Sequence, residues 1–167
     1  MGIVDEFLSG RKFVRESLDQ MKAHSRSLAA DIIKSEGLPA QIIYIERGGM
    51  VIGRLLSDAL LVKNVSGVRA SYYTGINRRR SSVLMGSLPR IEKGSGYVLL
   101  VDDVADTGKT LSKVAGSIRK RYGARVLTCT VFYKPRSVIK PDFYAKEISN
   151  DKWIIFEYEE NEFRGRR

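Results

Sequence analysis

The sequence holds one cysteine, one tryptophan and one histidine, and its uninterrupted apolar runs are only a few residues long. A single thiol cannot close an internal disulfide, and Cys129 lies inside the strand-like run VLTCTVFY, where a cysteine reads as a small buried apolar residue rather than a nucleophile. His24 falls on the first predicted helix, outside every motif below, and reads as a surface or packing residue. Runs this short exclude a membrane-spanning helix. The opening MGIVDEFLSGRK lacks the basic-then-apolar order of a secretory signal, so the cytoplasm is the expected location. Carboxylates are also in deficit: 19 Asp and Glu face 29 Lys and Arg, a formal charge of +10. That balance favours an anionic partner, for which nucleic acid and small phosphates both qualify. The basic residues are scattered apart from Arg78, Arg79, Arg80 and the tail Arg164, Arg166, Arg167, and no aromatic-interleaved pattern for a nucleic acid strand runs between them.

What is present suits one domain. A chain of 167 residues, 43% hydrophobic, can bury one good core and is too short for two ordinary ones. Phe13, Leu18, Met21, Leu28 and Ile32 recur at roughly helical spacing and predict an amphipathic helix over 12–36, stopped near Gly37 and Pro39. QIIYI (41–45) predicts a buried strand. After Gly48 and Gly49, the set Ile52, Leu55, Leu56, Ala59 predicts a helix that follows it directly. VRASYY (68–73) predicts a strand, and the polar, aperiodic stretch over about 73–96 a long mobile loop with room for a short hairpin around SSVLM. YVLLV (97–101) and the apolar set Leu111, Val114, Ala115, Ile118, ending at Gly123, form a second strand–helix unit. VLTCTVFY (126–133), FYAKEI and KWIIFEY predict three further strands. Alternation of this kind implies an α/β fold, a mostly parallel central sheet flanked by helices, with ligands at the carboxyl ends of its strands.

The densest chemistry stands where the second strand meets its helix, in Val101-Asp102-Asp103-Val104-Ala105-Asp106-Thr107-Gly108-Lys109-Thr110. N–H groups freed at a helix N-terminus, a glycine permitting close approach and threonine hydroxyls form a cradle for a phosphate dianion. Carboxylates beside that phosphate would repel it unless they bind something else, such as ribose hydroxyls or the Mg²⁺ that accompanies a diphosphate. The combination points to a phosphorylated sugar. Gly108-Lys109-Thr110 matches the end of the nucleotide-binding P-loop, but that motif needs a further glycine where this chain has Asp103. An acidic N-cap turn with Asp106 as the cap explains Asp106 and Thr107, and leaves the two carboxylates at the end of an apolar strand without a reason.

This segment resembles the phosphoribosyl diphosphate signature of the type I phosphoribosyltransferases, and the order of elements along almost the whole chain is similar to theirs. The resemblance implies one phosphoribosyltransferase domain over 1–167, with a core at about 38–135, a hood from about 1–12 and 136–167, and a flexible loop at about 73–96. It implies that Asp102 and Asp103 hold the ribose hydroxyls directly or through Mg²⁺, that Asp106, Thr107, Gly108, Lys109 and Thr110 hold the 5′-phosphate, and that Asp106 exchanges a proton with the purine N7. Glu46-Arg47-Gly48-Gly49 resembles the family's diphosphate-binding loop, which often contains a non-proline cis peptide; here that bond would precede Arg47. Ser71-Tyr72 and the basic loop after them resemble the family's catalytic loop, which closes over the diphosphate, with Arg78, Arg79 and Arg80 placed on it. Phosphoribosyl diphosphate, a purine base and a homodimer or homotetramer are the implied partners.

The end of the chain resembles the xanthine-guanine branch of the 6-oxopurine enzymes. The resemblance places Lys134 (FYKPRS) and Trp153 (DKWIIFEY) on either side of the base, with the backbone carbonyls of Ile154 and Glu159 reading the group at C2. The chemistry of the side chains agrees, because an ammonium has only donors and favours a carbonyl at C6 over an amino group, while an indole supplies a stacking face. The branch usually has a proline before the second aromatic of the hood, and this sequence has none there. That departure leaves hypoxanthine, guanine and xanthine open, and with them an adenine-specific derivative. A second class, a phosphoribosyl diphosphate sensor that binds nucleic acid through its positive face, fits the charge but has no use for Lys134 and Trp153.

Overall fold

A computed structural model describes residues 12–74, 81–91 and 96–159. Arg78, Arg79, Arg80 and the tail arginines lie outside them. Among the described residues eight strands and three helices follow in the order β1 (Lys12–Glu16), α1 (Leu18–Glu36), β2 (Gln41–Glu46), α2 (Gly49–Leu60), β3 (Val65–Thr74), β4 (Ser81–Met85), β5 (Tyr97–Ala105), α3 (Lys109–Tyr122), β6 (Arg125–Tyr133), β7 (Phe143–Glu147) and β8 (Lys152–Phe156). A single 3₁₀ turn, Glu157–Glu159, closes the described part.

Six strands form the main sheet in the order β4-β3-β2-β5-β6-β7. All neighbours run parallel except β3 and β4, which pair antiparallel with Ser71 opposite Leu84. The side chains of β2 and β5 alternate between two apolar layers. Ile42, Leu99 and Val101 join Met21, Leu28, Ile32, Ile52 and Leu56 from α1 and α2. Ile43, Ile45, Val98 and Leu100 join Leu111, Val114, Ala115 and Ile118 from α3. Burial on both faces is why these strands read as continuous apolar runs rather than alternating ones. Within the sheet, β2 leads outward to β3 on one side and β5 leads to β6 and β7 on the other. The crevice therefore opens at the carboxyl ends of β2 and β5, where the order of the strands reverses.

The first predicted helix needs a correction. Residues 12–16 are strand β1, which pairs in parallel with β8 as a separate two-stranded ribbon, Phe13 opposite Trp153 and Glu16 opposite Phe156. Helix α1 starts only after Ser17, whose hydroxyl accepts from the Gln20 N–H while the Gln20 side chain accepts from the Ser17 N–H. This capping box fixes the start, and Gly37 at φ 73° fixes the end. The hairpin expected at SSVLM appears as β4, laid against β3. His24 packs as expected, edge-on to Phe132 with its Nε2 3.0 Å from the buried Glu16 carboxylate. Cys129 is buried, and burial followed by the nearby Asp142 charge pushes its thiol far up. Among the described residues no helix is long and apolar enough to cross a membrane.

Candidate active site

Both turns at the crevice owe their shape to glycine. A Cβ on Gly49 would stand 2.6 Å from the Val101 carbonyl oxygen, and one on Gly48 would overlap the Asp103 carboxylate. The β2–α2 turn can thus lie directly on the end of β5 only without side chains there. The peptide between Glu46 and Arg47 is cis, at the bond where the family resemblance expects one. The Glu46 carboxylate rests over Gly67 of β3, so close that a Cβ there would be 2.6 Å from it.

Asp102 and Asp103 lie toward the carboxyl end of β5, followed within the strand by Val104 and Ala105. Each carboxylate turns back onto the next peptide: Asp102 Oδ1 accepts from the Asp103 N–H at 3.0 Å, and Asp103 Oδ1 from the Val104 N–H at 2.7 Å. Burial pushes both carboxyls above their ordinary range, and the Asp103 charge adds to the rise at Asp102. Two such acceptors favour a cation, yet among the described residues no group of three or more Asp, Glu, His or Cys side chains gathers to hold one. That donor set suits Mg²⁺, which is bound through one or two carboxylates and completes its shell with substrate phosphates and water.

After Ala105 the chain leaves the sheet through Asp106 and Thr107 to Gly108, which takes φ 70° at the N-cap of α3. No side chain caps this helix, and its first turn presents N–H groups at the positive end of the dipole. The segment after β6 straps over the turn. Lys134 N–H donates to Ala105 O at 3.0 Å and Val138 N–H to Thr107 O at 2.9 Å, while Ser137 and Ile139 crowd Gly108.

Lys134 is 3% exposed, with Nζ 3.0 Å from Asp106 Oδ1 and 5.8 Å from the centroid of the Trp153 ring. Arg136 reaches the same carboxylate oxygen through Nε at 2.9 Å and through Nη2. Partial burial pushes the Asp106 carboxyl up, but hydrogen bonds and charge from Arg136 and Lys134 outweigh it and hold the group below its ordinary range. Asp106 is therefore an ionised acceptor.

A cleft of about 220 Å³ is lined by Asp103, Val104, Asp106, Lys134, Trp153, Ile154, Phe156 and Glu159. It joins three segments distant in sequence, the end of β5, the end of β6 and the β8 ribbon with its 3₁₀ turn. Of the residues singled out from sequence, Asp103, Asp106, Lys134, Trp153, Ile154 and Glu159 meet in it. Asp102 and Thr107–Thr110 adjoin it along the chain, and Gly48 adjoins it through Asp103. Ser71 and Tyr72 are placed within β3, on the far side of β2 from β5. Val104, Phe156 and Arg136 were not anticipated. Phe156 reads as core, and core it also is, 2% exposed and stacked on Tyr158 at 5.2 Å. Arg136 stands two residues beyond Lys134 in a polar turn, and this adjacency is the only sequence signal it carries.

A protein-family model described as phosphoribosyl transferase domain matches residues 15–162. Among solved structures, the Helicobacter pylori xanthine-guanine-hypoxanthine phosphoribosyltransferase superposes with a TM-score of 0.79 at 21% identity, covering 92% of this chain and 97% of that one. A purine phosphoribosyltransferase from Pyrococcus horikoshii gives 0.74 at 27% identity, covering 87% and 93%. A Neisseria gonorrhoeae protein solved with bound ppGpp gives 0.76 at 20%, covering 92% and 94%.

Proposed function

The chain belongs to the phosphoribosyl transferase domain family, and from that premise we propose that it transfers ribose 5-phosphate from phosphoribosyl diphosphate to N9 of a 6-oxopurine, hypoxanthine, guanine or xanthine, with release of diphosphate. The observation that carries the choice of base is the buried Lys134 ammonium beside Trp153 in the cleft. A buried ammonium must donate. One of its three donors goes to Asp106, and the others suit a carbonyl oxygen at C6. The Trp153 face supports stacking of the ring. The Pyrococcus relative, a purine phosphoribosyltransferase by name, is consistent with a purine acceptor.

In this reading the first turn of α3, from Asp106 to Thr110, receives the 5′-phosphate, and Asp102 with Asp103 receives the ribose hydroxyls. The same two carboxylates would hold Mg²⁺, which when bound neutralises charge on the departing diphosphate. Arg47 and the Gly48-Gly49 turn face the diphosphate side. N9 forms its bond to C1 as the C1–oxygen bond to diphosphate breaks, with inversion and oxocarbenium character between. Asp106 accepts the proton that the base gives up at N7. The protein's part is positioning and charge stabilisation. The setting this implies is purine salvage by a cytoplasmic homodimer or homotetramer.

A spectrophotometric assay with hypoxanthine, guanine, xanthine and adenine, each with Mg²⁺ and donor, tests it. Nucleotide is expected from at least one 6-oxopurine. Turnover of adenine alone would place the chain with the adenine enzymes. No turnover, with tight nucleic acid binding in moderate salt, would make it a sensor instead.

A further inference from the structure

Arg136 has no place in the scheme above, yet its guanidinium is the nearest cation to the carboxylate that scheme depends on. Its Nε and Nη2 and the Lys134 ammonium all end on Asp106 Oδ1, and among the described residues Oδ2 has no partner. The backbone under Arg136 is pinned. Its N–H donates to Asn150 Oδ1 at 3.1 Å in the β7–β8 turn, the following Ser137 N–H donates to Lys134 O at 2.9 Å, and the Val138 N–H reaches Thr107 O. The guanidinium thus approaches Asp106 from a fixed base. The pair is partly exposed, 43% and 36% for the two side chains, and pairs of that kind add little stability. Its consequence is geometric.

We infer that Arg136 is a positioning residue for the transfer: by fixing Oδ1 together with Lys134 it leaves Oδ2 of Asp106 as the acceptor presented to the N7–H of the bound base. The inference rests on the proposed purine transfer. A carboxylate free to rotate would offer that acceptor only part of the time, whereas three donors converging on Oδ1 from two anchored side chains restrict that rotation. Lysine cannot replace it fully, since a point charge on a flexible stem does not hold two donors in a fixed fork on Oδ1.

Two unreactive bases separate this role from a merely structural one. 9-Deazahypoxanthine keeps the N7–H and has carbon at position 9, while 7-deazahypoxanthine has carbon at position 7 and no N7–H. Their affinities are measured by calorimetry, with donor and Mg²⁺ present, for the intact protein, Arg136→Ala and Arg136→Lys. The alanine variant is expected to bind the 9-deaza base about tenfold more weakly and the 7-deaza base unchanged, the size of one charge-assisted hydrogen bond lost from alignment. The lysine variant should fall between, and it carries the comparison if the alanine variant does not fold. With hypoxanthine, kcat should drop while KM for the donor holds. Equal weakening of both analogues, or of neither, in a protein that converts hypoxanthine would overturn the inference. An intact protein that converts no base would instead remove the function on which it rests.

Discussion

Replacing Lys134 by methionine removes an ammonium and keeps most of its aliphatic stem, so the packing against Trp153 survives while the donor is lost. The local backbone should hold, because the Lys134 N–H and carbonyl bond to Ala105 and Ser137 without the side chain. Asp106 keeps Arg136 and is not left without a counter-charge. What disappears is a donor to the C6 oxygen of the base. A hydrogen bond from a charged donor contributes roughly 1.5–3 kcal/mol, and each 1.4 kcal/mol is about tenfold. The expected loss in kcat/KM for hypoxanthine is thus about 10- to 150-fold. Adenine presents an amino group at C6, gains nothing from the ammonium and should lose little. Initial rates by absorbance over a range of base concentrations give both ratios. An equal fold loss for hypoxanthine and adenine would refute the assignment and make Lys134 a packing residue.

Asp106→Asn removes the N7 proton acceptor and should lower kcat by about 10²–10⁴-fold while calorimetry shows donor binding intact; undiminished turnover would take the proton role away from it. Asp102 and Asp103 changed together to alanine should abolish Mg²⁺-dependent donor binding, and normal affinity would exclude their sugar–metal role. Gly49→Ala sets a methyl 2.6 Å from the Val101 carbonyl, an overpacking of about 1–3 kcal/mol that should lower the melting temperature by roughly 2–4 °C for each kcal/mol; an unchanged midpoint would show that the two turns do not press on each other. Because Arg136 and Lys134 hold Asp106 below its ordinary range, acidification should remove its contribution to kcat/KM only below the usual aspartate range. In Arg136→Ala that acid limb should move to higher pH, and a limb that stays in place would detach it from Asp106.

How legible the molecule is in its sequence depends on how local each signal is. The strand–turn–helix around Asp102 to Thr110 could be read because an apolar run, its carboxylates and the left-handed Gly108 lie within a few residues of one another, and each acts on its immediate neighbours. β1 could not. Phe13 continues the helical spacing of Leu18 and Met21, but its pairing with Trp153 belongs to the other end of the chain, and the Ser17 cap ends the helix before that spacing does. Lys134 and Trp153 came from family likeness, since nothing in the sequence around them states that the β8 ribbon folds over the end of β6. Arg136 lies beyond either kind of reading. Its meeting with Asp106 depends on a strap held at Ala105, Thr107 and Asn150, contacts no periodicity encodes. Ser71 and Tyr72 fall within the strand predicted over 68–73 and stand in β3, paired antiparallel with β4, while the diphosphate-side role given to them rests on family likeness alone.

Following one reaction by phosphorus and proton NMR tests the central claim most directly. With phosphoribosyl diphosphate, Mg²⁺ and hypoxanthine, the expected result is a β-nucleotide joined at N9 and diphosphate in equal amounts, neither appearing without the base. Diphosphate released without nucleotide, or an unchanged donor in the presence of every 6-oxopurine, would contradict it.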